Sequence, residues 1–362
     1  MAPSESLNWY DFLARLPLPA SSVSVPDFPG VQPILITGAA GSIGSALARQ
    51  LATTGLPLLL LDSSESHLFA LQSRLAEHRS VTYFLGNVGD VNFLDEIFER
   101  YAPKVIFHAA AYKHVPLLEG QPFAAIENNV FTTESLAAAS VRHGTRLVLL
   151  STDKAAEPAS ILGATKHIAE VIVLASGGVA LRLGNVLGSR GSVSQTFAAQ
   201  IAAGGPLTVT HPEARRYFLT VNEAVHLLIT AAAEMKPGVL FAPQLSQPHG
   251  IADLARFMAA RLAPERAIGI EFTSLRAGDK LNEQLTSAAE SVEPSGAEGL
   301  HRILSAPIDV EVLARKLTAL HAAQAARDLP AALEVICDLV PDYLPSDSLR
   351  ALTANFSSRV LL

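Results

Sequence analysis

Between residues 33 and 188 the chain alternates short, continuous apolar runs with longer stretches whose apolar residues recur at helical spacing. The runs are "PILIT", "PLLLLD", "VTYFLGNV", "KVIFHAAA", "RLVLLST" and "VALRLGNVLG". Continuous rather than alternating apolar runs predict strands buried on both faces. Strands separated by helices predict βαβ units and therefore an α/β fold with a Rossmann-type, doubly wound parallel sheet. "GVLFAPQ" predicts a returning strand near 238–243. After Ser192 the pattern loosens. "SQTFAAQIAAGG" and "VNEAVHLLITAAAEM" predict helices, and "ALEVICDLVPDYLP" an amphipathic end piece. The expected organisation is an N-terminal arm (1–30), a dinucleotide-binding domain (31–191), a smaller, mostly helical substrate-binding region (192–290) and a helical tail (291–362). The arm combines an amphipathic stretch from Trp9 to Leu16 with a Pro/Ser-rich tract.

Composition narrows the class. The chain has 362 residues, 49% of them apolar and 17% charged, which excludes a disordered body and allows an ample core. A net charge of −7 argues against a nucleic-acid or anionic-membrane binder. Cys337 is the single cysteine, so neither a disulfide nor a cysteine metal cluster is expected, and a cytoplasmic location fits. No uncharged apolar run reaches the length of a membrane span. The N-terminus lacks the basic start and apolar stretch of a secretion signal.

The turn after the first run carries chemistry. Gly38, Gly41 and Gly44 stand in T-G-x-x-G-x-x-G between a predicted strand and a predicted helix. The first glycine permits the tight turn, the second a close approach to a pyrophosphate, the third close helix–strand packing. The first turn, with Ser42 and Ile43, offers unpaired N–H groups and the positive end of the helix dipole. Asp62 ends the next strand, 18 residues past Gly44, where a carboxylate accepts the adenosine ribose hydroxyls and repels a 2′-phosphate. "DSSESH" holds no arginine, so NAD is expected rather than NADP. Asn87 follows the third strand as an adenine contact or a turn residue.

"TGAAGSIG", "FHAAAYKHVPLLE", "NNVFTT", "STDKAAEP", "GATK", "LGNVLGSRGSV", "GGPLTVTHPEARRYF" and "LRAGDKLNE" together resemble the extended short-chain dehydrogenase/reductases. Within them the chain resembles the polysaccharide-biosynthesis branch of nucleotide-sugar 4,6-dehydratases, which act on UDP-N-acetylglucosamine, in a form lacking that branch's membrane domain. The resemblance spans roughly residues 31–285 and returns in "LVPDYLP". It implies NAD bound also by Val88, Ala109 and Ala110, a UDP-sugar partner and a homo-oligomer, with no metal. It implies an internal redox elimination, in which hydride leaves C4 of the hexose, a proton leaves C5, water leaves C6 and the hydride returns to C6.

By the same resemblance Asp153 is the acid at O6, Lys154 the base at C5, and Thr152 a hydrogen-bond donor to the C4 oxygen. Lys166 holds the nicotinamide ribose. Leu162 stands four positions before Lys166, where such enzymes usually carry a proton-accepting tyrosine. Asp153 is then expected to take the C4 hydroxyl proton and later give it to the C6 hydroxyl. For that chemistry Lys154 must be neutral, and burial together with Lys166 is expected to lower its pKa. Burial is expected to raise that of Asp153. An exchange of Leu162 for Ala is expected to disturb packing only modestly.

A pyrophosphate needs cationic donors, and Arg190, Arg216 and Arg276 lie in matching motifs. Lys113 is a candidate contact to substrate or phosphate, Asn185 to phosphate or hexose, and Glu283 to the uridine ribose. Tyr112 reads equally as a ligand contact or a packing aromatic. Departures at Glu157-Pro158, Ser160, Ser194-Gln195 and "GDKLNEQ" fall on the substrate side. A nucleotide-sugar C4 epimerase of the same superfamily and a non-catalytic NAD-binding paralogue stay open as alternatives.

Overall fold

The computed structural model describes residues 7–18, 33–233, 236–306 and 309–357. Its centre is a nine-stranded sheet. The strands are β1 (Ile34–Thr37), β2 (Leu58–Asp62), β3 (Val81–Leu85), β4 (Val105–His108), β5 (Arg146–Thr152), β6 (Val179–Leu183), β7 (Val239–Pro243), β8 (Ser291–Pro294) and β9 (Leu300–Leu304). Their order is β8-β9-β7-β6-β5-β4-β1-β2-β3. From β3 through β7 all pairings are parallel, and the 3-2-1-4-5-6 order is that of a Rossmann fold. The order reverses between β1 and β4, and the crevice beyond their C-terminal ends is where such sheets bind ligands.

The apolar runs are continuous because both faces of the sheet are covered. Leu35, Leu59, Leu61, Ile106, Leu147 and Leu149 enter one core. Their neighbours Ile34, Ile36, Leu58, Leu60, Phe107 and Val148 enter the other. That division is the two-residue alternation of strand side chains. On the first face helices Val310–Ala326 and Leu329–Leu339 bury Leu313, Leu317, Leu320, Leu333 and Ile336.

Two expectations change in detail. The start of the helical tail is corrected, because residues 291–304 form β8 and β9, an antiparallel edge to the sheet. The 192–290 segment is not one separate body. Its helix Val221–Ala233 and β7 complete the Rossmann layers, whereas 193–219 and 249–285 surround a third core containing Phe197, Leu207, Leu254 and Met258. The amphipathic stretch of the arm is anchored there. Helix Trp9–Leu13 buries Leu13 in that core, and Arg15 pairs with the buried Glu223 at 2.6 Å. Residues 19–30 of the arm, with most of the Pro/Ser-rich tract, lie outside the described residues. Among the described residues no helix is long and apolar enough to cross a membrane, and no group of three or more His, Cys, Asp or Glu could hold a metal ion.

Candidate active site

The glycine turn sits at the switch point. Gly38 has φ 64°, and a Cβ on it would lie 2.6 Å from the Ala110 nitrogen. A Cβ on Gly44 would collide with the Gly38 carbonyl oxygen. Gly41 precedes helix Ser42–Ala52, whose N-terminus no side chain caps, leaving N–H groups of the first turn for an anionic ligand. Asp62 accepts from the Ala40 N–H (2.8 Å) and the Ser64 N–H (2.9 Å), so it ties the turn to the end of β2. The cavity beyond is lined by Gly38, Gly41, Asp62, Asn87, Val88, Ala109 and Ala110. Its backbone cradle, uncapped helix and single carboxylate fit a dinucleotide. Asn87 also accepts from the Gly89 N–H (2.9 Å), the turn role that was its alternative.

Sequence reasoning gave no role to several residues of this cavity: Ser63, Gly86, Ala111, Asn128 and Thr132. The last two lie in "NNVFTT", a stretch with no spacing signal of its own. Asn129 beside them is buried and holds the Tyr112 backbone through its Oδ1 (2.9 Å) and Nδ2 (3.2 Å). The loop after β4 is thereby pinned, with the half-exposed Tyr112 on the cavity wall.

Thr152, Asp153 and Lys154, the expected catalytic group, come together at the end of β5. Thr152 ends β5 and the chain enters a single 3₁₀ turn, Asp153–Ala155, so adjacent side chains converge. Asp153 Oδ1 accepts from Thr152 Oγ1 and Lys154 Nζ, both at 2.9 Å. Asp153 Oδ2 is buried without a partner. The turn lies against helix Ile161–Ala175, which Ser160 caps by accepting from the Gly163 N–H (3.2 Å). Only glycine fits at 163, because a Cβ there would strike the Lys154 carbonyl oxygen. Lys166, on the same helix, is buried and donates to the Leu150 carbonyl (2.8 Å). Burial pulls its pKa down to about 8, with Glu170 opposing.

The electrostatic expectation for Lys154 is overturned. Burial does push its pKa down, but the carboxylates of Asp153 and Glu283 outweigh it, and the net shift is upward. Glu283, a candidate contact to the uridine ribose, is buried beside Lys154, with Oε1 3.6 Å from Nζ. Its own pKa is raised by burial first and by Asp153 next, against the pull of Lys154. Leu162 is 3% exposed and part of the first core, so its exchange for Ala is not a modest change.

Each of the three arginines is bonded within the protein. Arg216 is buried, and its Nη1 and Nη2 donate to the carbonyls of Arg215, Leu281 and Lys280 at 2.7–2.9 Å. Those bonds fix the segment that carries Glu283. Arg276 is exposed and paired with Asp279 at 2.7 Å. Arg190 belongs to the glycine turn: its guanidinium donates to the Ala40 carbonyl and its N–H to Ser42 Oγ (2.8 Å). Lys113 Nζ donates to the Arg190 carbonyl (2.6 Å), which adds a second cation there. Asn185 is half-buried on a two-residue strand paired with Phe218–Leu219.

The sequence profile of the family described as "Polysaccharide biosynthesis protein" matches residues 34–305. The chain belongs to this family. The probable polysaccharide biosynthesis protein EpsC of Bacillus subtilis is 39% identical over 296 residues, 77% of this chain and 49% of that protein. The capsular polysaccharide biosynthesis protein CapD of Staphylococcus aureus is 41% identical over 273 residues, 71% of this chain and 45% of that protein. The chain thus spans about half the length of these two relatives. Among solved structures, Pen from Bacillus thuringiensis matches with a TM-score of 0.71 and 27% identity, over 78% of this chain and 89% of that one. A dTDP-glucose 4,6-dehydratase from Streptomyces venezuelae, with NAD and TYD bound, matches in fold with a TM-score of 0.64 and 20% identity, over 70% of this chain and 88% of that one. At 20% identity the likeness to the dehydratase is one of fold, and it agrees with the Rossmann strand order.

Proposed function

We propose that the chain is an NAD-dependent nucleotide-sugar 4,6-dehydratase, with UDP-N-acetylglucosamine as substrate and a UDP-4-keto-6-deoxy-N-acetylhexosamine as product. The observation that carries the reading is the Thr152–Asp153–Lys154 turn at the end of β5, with an acid and an amine in contact and one Asp153 oxygen buried without a partner. That oxygen is an acceptor the protein itself leaves unsatisfied. Redox at C4 alone needs one proton-handling group, whereas elimination across C5 and C6 needs an acid and a base together.

The glycine turn, the first turn of helix Ser42–Ala52 and Asp62 would hold NAD, which when bound accepts the C4 hydride and returns it to C6. Thr152 orients the C4 oxygen. Asp153 accepts the C4 hydroxyl proton and later protonates the C6 hydroxyl, which leaves as water. Lys154 removes the C5 proton, made acidic by the C4 ketone. Lys166 anchors the nicotinamide ribose from the catalytic helix. Leu162 fills the apolar position and takes no proton, so Asp153 carries the role a phenol has elsewhere.

The epimerase reading retains one observation. A UDP-glucose 4-epimerase of Rickettsia rickettsii is 30% identical over 287 residues, 75% of this chain and 82% of that protein. One experiment separates the readings. The chain is incubated with NAD and UDP-N-acetylglucosamine in deuterium oxide, and the product is examined by NMR. A 4-keto-6-deoxy sugar with deuterium at C5 is the expected result. A C4-inverted hexose without C5 label identifies an epimerase, and retained NAD without reaction of any UDP-, GDP-, CDP- or dTDP-sugar identifies a non-catalytic binder.

A further inference from the structure

A lysine that is to take a proton from carbon needs a free lone pair, and an ammonium has none. Lys154 stands 2.9 Å from Asp153 and 3.6 Å from Glu283, so two carboxylates hold its charge on. The side chains of Asp153 and Glu283 are 0% and 2% exposed, whereas 20% of the Lys154 side chain remains open. Glu283, like Asp153, has one oxygen, Oε2, buried without a partner. Two further cations bear on Glu283. Arg216 is committed to backbone carbonyls, and Lys280 Nζ donates to the Glu157 carbonyl (3.0 Å). Neither is hydrogen-bonded to the Glu283 carboxylate.

Building on the dehydratase reading, we propose that Glu283 takes the proton from Lys154 and stores it while Lys154 acts as base. Glu283 works through Lys154 rather than on the sugar, and is in that sense a positioning residue. When Asp153 accepts the C4 hydroxyl proton it becomes neutral, and Lys154 loses the nearer of its two counter-charges. An N–H bond of the Lys154 ammonium then breaks and an O–H bond forms on Glu283. The ammonium becomes an amine and the carboxylate a carboxylic acid, so charge is conserved and nothing is oxidised. The amine removes the C5 proton and later returns a proton to C5. Asp153 gives its proton to the departing C6 hydroxyl. Glu283 finally returns its own proton to Lys154, which restores the resting cluster. The base is thus unmasked only after C4 chemistry has begun.

The test uses the full chain with NAD and UDP-N-acetylglucosamine, and reads deuterium entry at C5 against pH for wild type, Glu283→Gln and Glu283→Asp. Substrate binding by calorimetry and a thermal melt accompany each. Glu283→Gln is expected to lower the C5 exchange rate about 100-fold or more, with the substrate Kd within about threefold. Its residual rate should rise with pH, because Lys154 must then lose its proton to solvent, and Glu283→Asp should recover part of the loss. A Glu283→Gln variant that keeps the wild-type rate, or whose profile moves to lower pH, overturns the proposal. That shift is the one expected if Glu283 merely stabilised the ammonium, since removing an anion makes the lysine easier to deprotonate. A raised KM with unchanged kcat also overturns it, in favour of a substrate contact. A wild-type chain that gives no C5 label overturns the dehydratase reading and this inference with it, which distinguishes the two failures.

Discussion

Arg182 lies fully buried in β6, opposite Ser151 of β5, and its loss should be felt in both stability and activity. Its Nε and Nη2 donate to Glu170 (2.8–3.2 Å), its Nη1 and Nη2 to Glu290 (2.7 and 2.8 Å), and Nη1 also to the Leu285 carbonyl (3.1 Å). The two carboxylate side chains are 3% and 5% exposed. Glu170 also accepts from Ser151 Oγ (2.5 Å), one residue from the turn, and sits one helical turn after Lys166. Arg182 therefore fastens β5, helix Ile161–Ala175 and the segment after Glu283 at one point. Arg182→Leu leaves two buried carboxylates without their cation, at a cost of about 3–5 kcal/mol near neutral pH. At about 2 °C per kcal/mol for a chain of this size, the melting temperature falls by roughly 6–10 °C. The stranded carboxylates acquire raised pKa values in the folded variant. Their contribution to stability is then present below the ordinary carboxylate range near pH 4 and lost as pH rises, so the deficit against wild type should be largest at pH 7–8 and shrink towards pH 5. Differential scanning calorimetry across that range measures it. A triple variant, Arg182→Leu with Glu170→Gln and Glu290→Gln, should recover most of the loss by removing the charges. An Arg182→Leu protein melting within about 2 °C of wild type at neutral pH, or a triple variant less stable than the single one, would refute the reasoning.

Other outcomes follow from single residues. Asp153→Asn should cut dehydration at least about 100-fold while NAD binding by calorimetry is retained, and normal turnover would remove Asp153 from the scheme. Lys166, with its pKa drawn down to about 8, should give kcat/KM a basic limb near that pH, which Lys166→Arg moves upward because a guanidinium stays charged. The same depressed pKa makes folding more favourable as pH climbs from about 8 towards the usual 10.5, visible as a rise in melting temperature over that interval. Leu162→Ala should cost about 2–5 kcal/mol of stability in denaturant titration, and a loss under about 1 kcal/mol would contradict its place in the core.

The sequence by itself determined what short-range pattern can encode. Continuous apolar runs required strands covered on both faces, and the spacing of Gly38, Gly41 and Gly44 with Asp62 marked a dinucleotide cradle, because backbone sterics and strand–turn–helix geometry act over a few residues. Thr152, Asp153 and Lys154 were singled out by family resemblance, and their convergence follows from being contiguous at a strand end. What tertiary structure alone decided was the company these groups keep. Glu283 reaches Lys154 from more than a hundred residues away in the chain and joins the adjacent Asp153 in raising its pKa, a partnership that no local spacing encodes. Arg190 bonds the glycine turn, Arg216 spends its donors on backbone carbonyls, and Leu162 turns inward to the core. Charge state and donor availability depend on burial and on partners in space, and both are fixed only when the distant segments pack together.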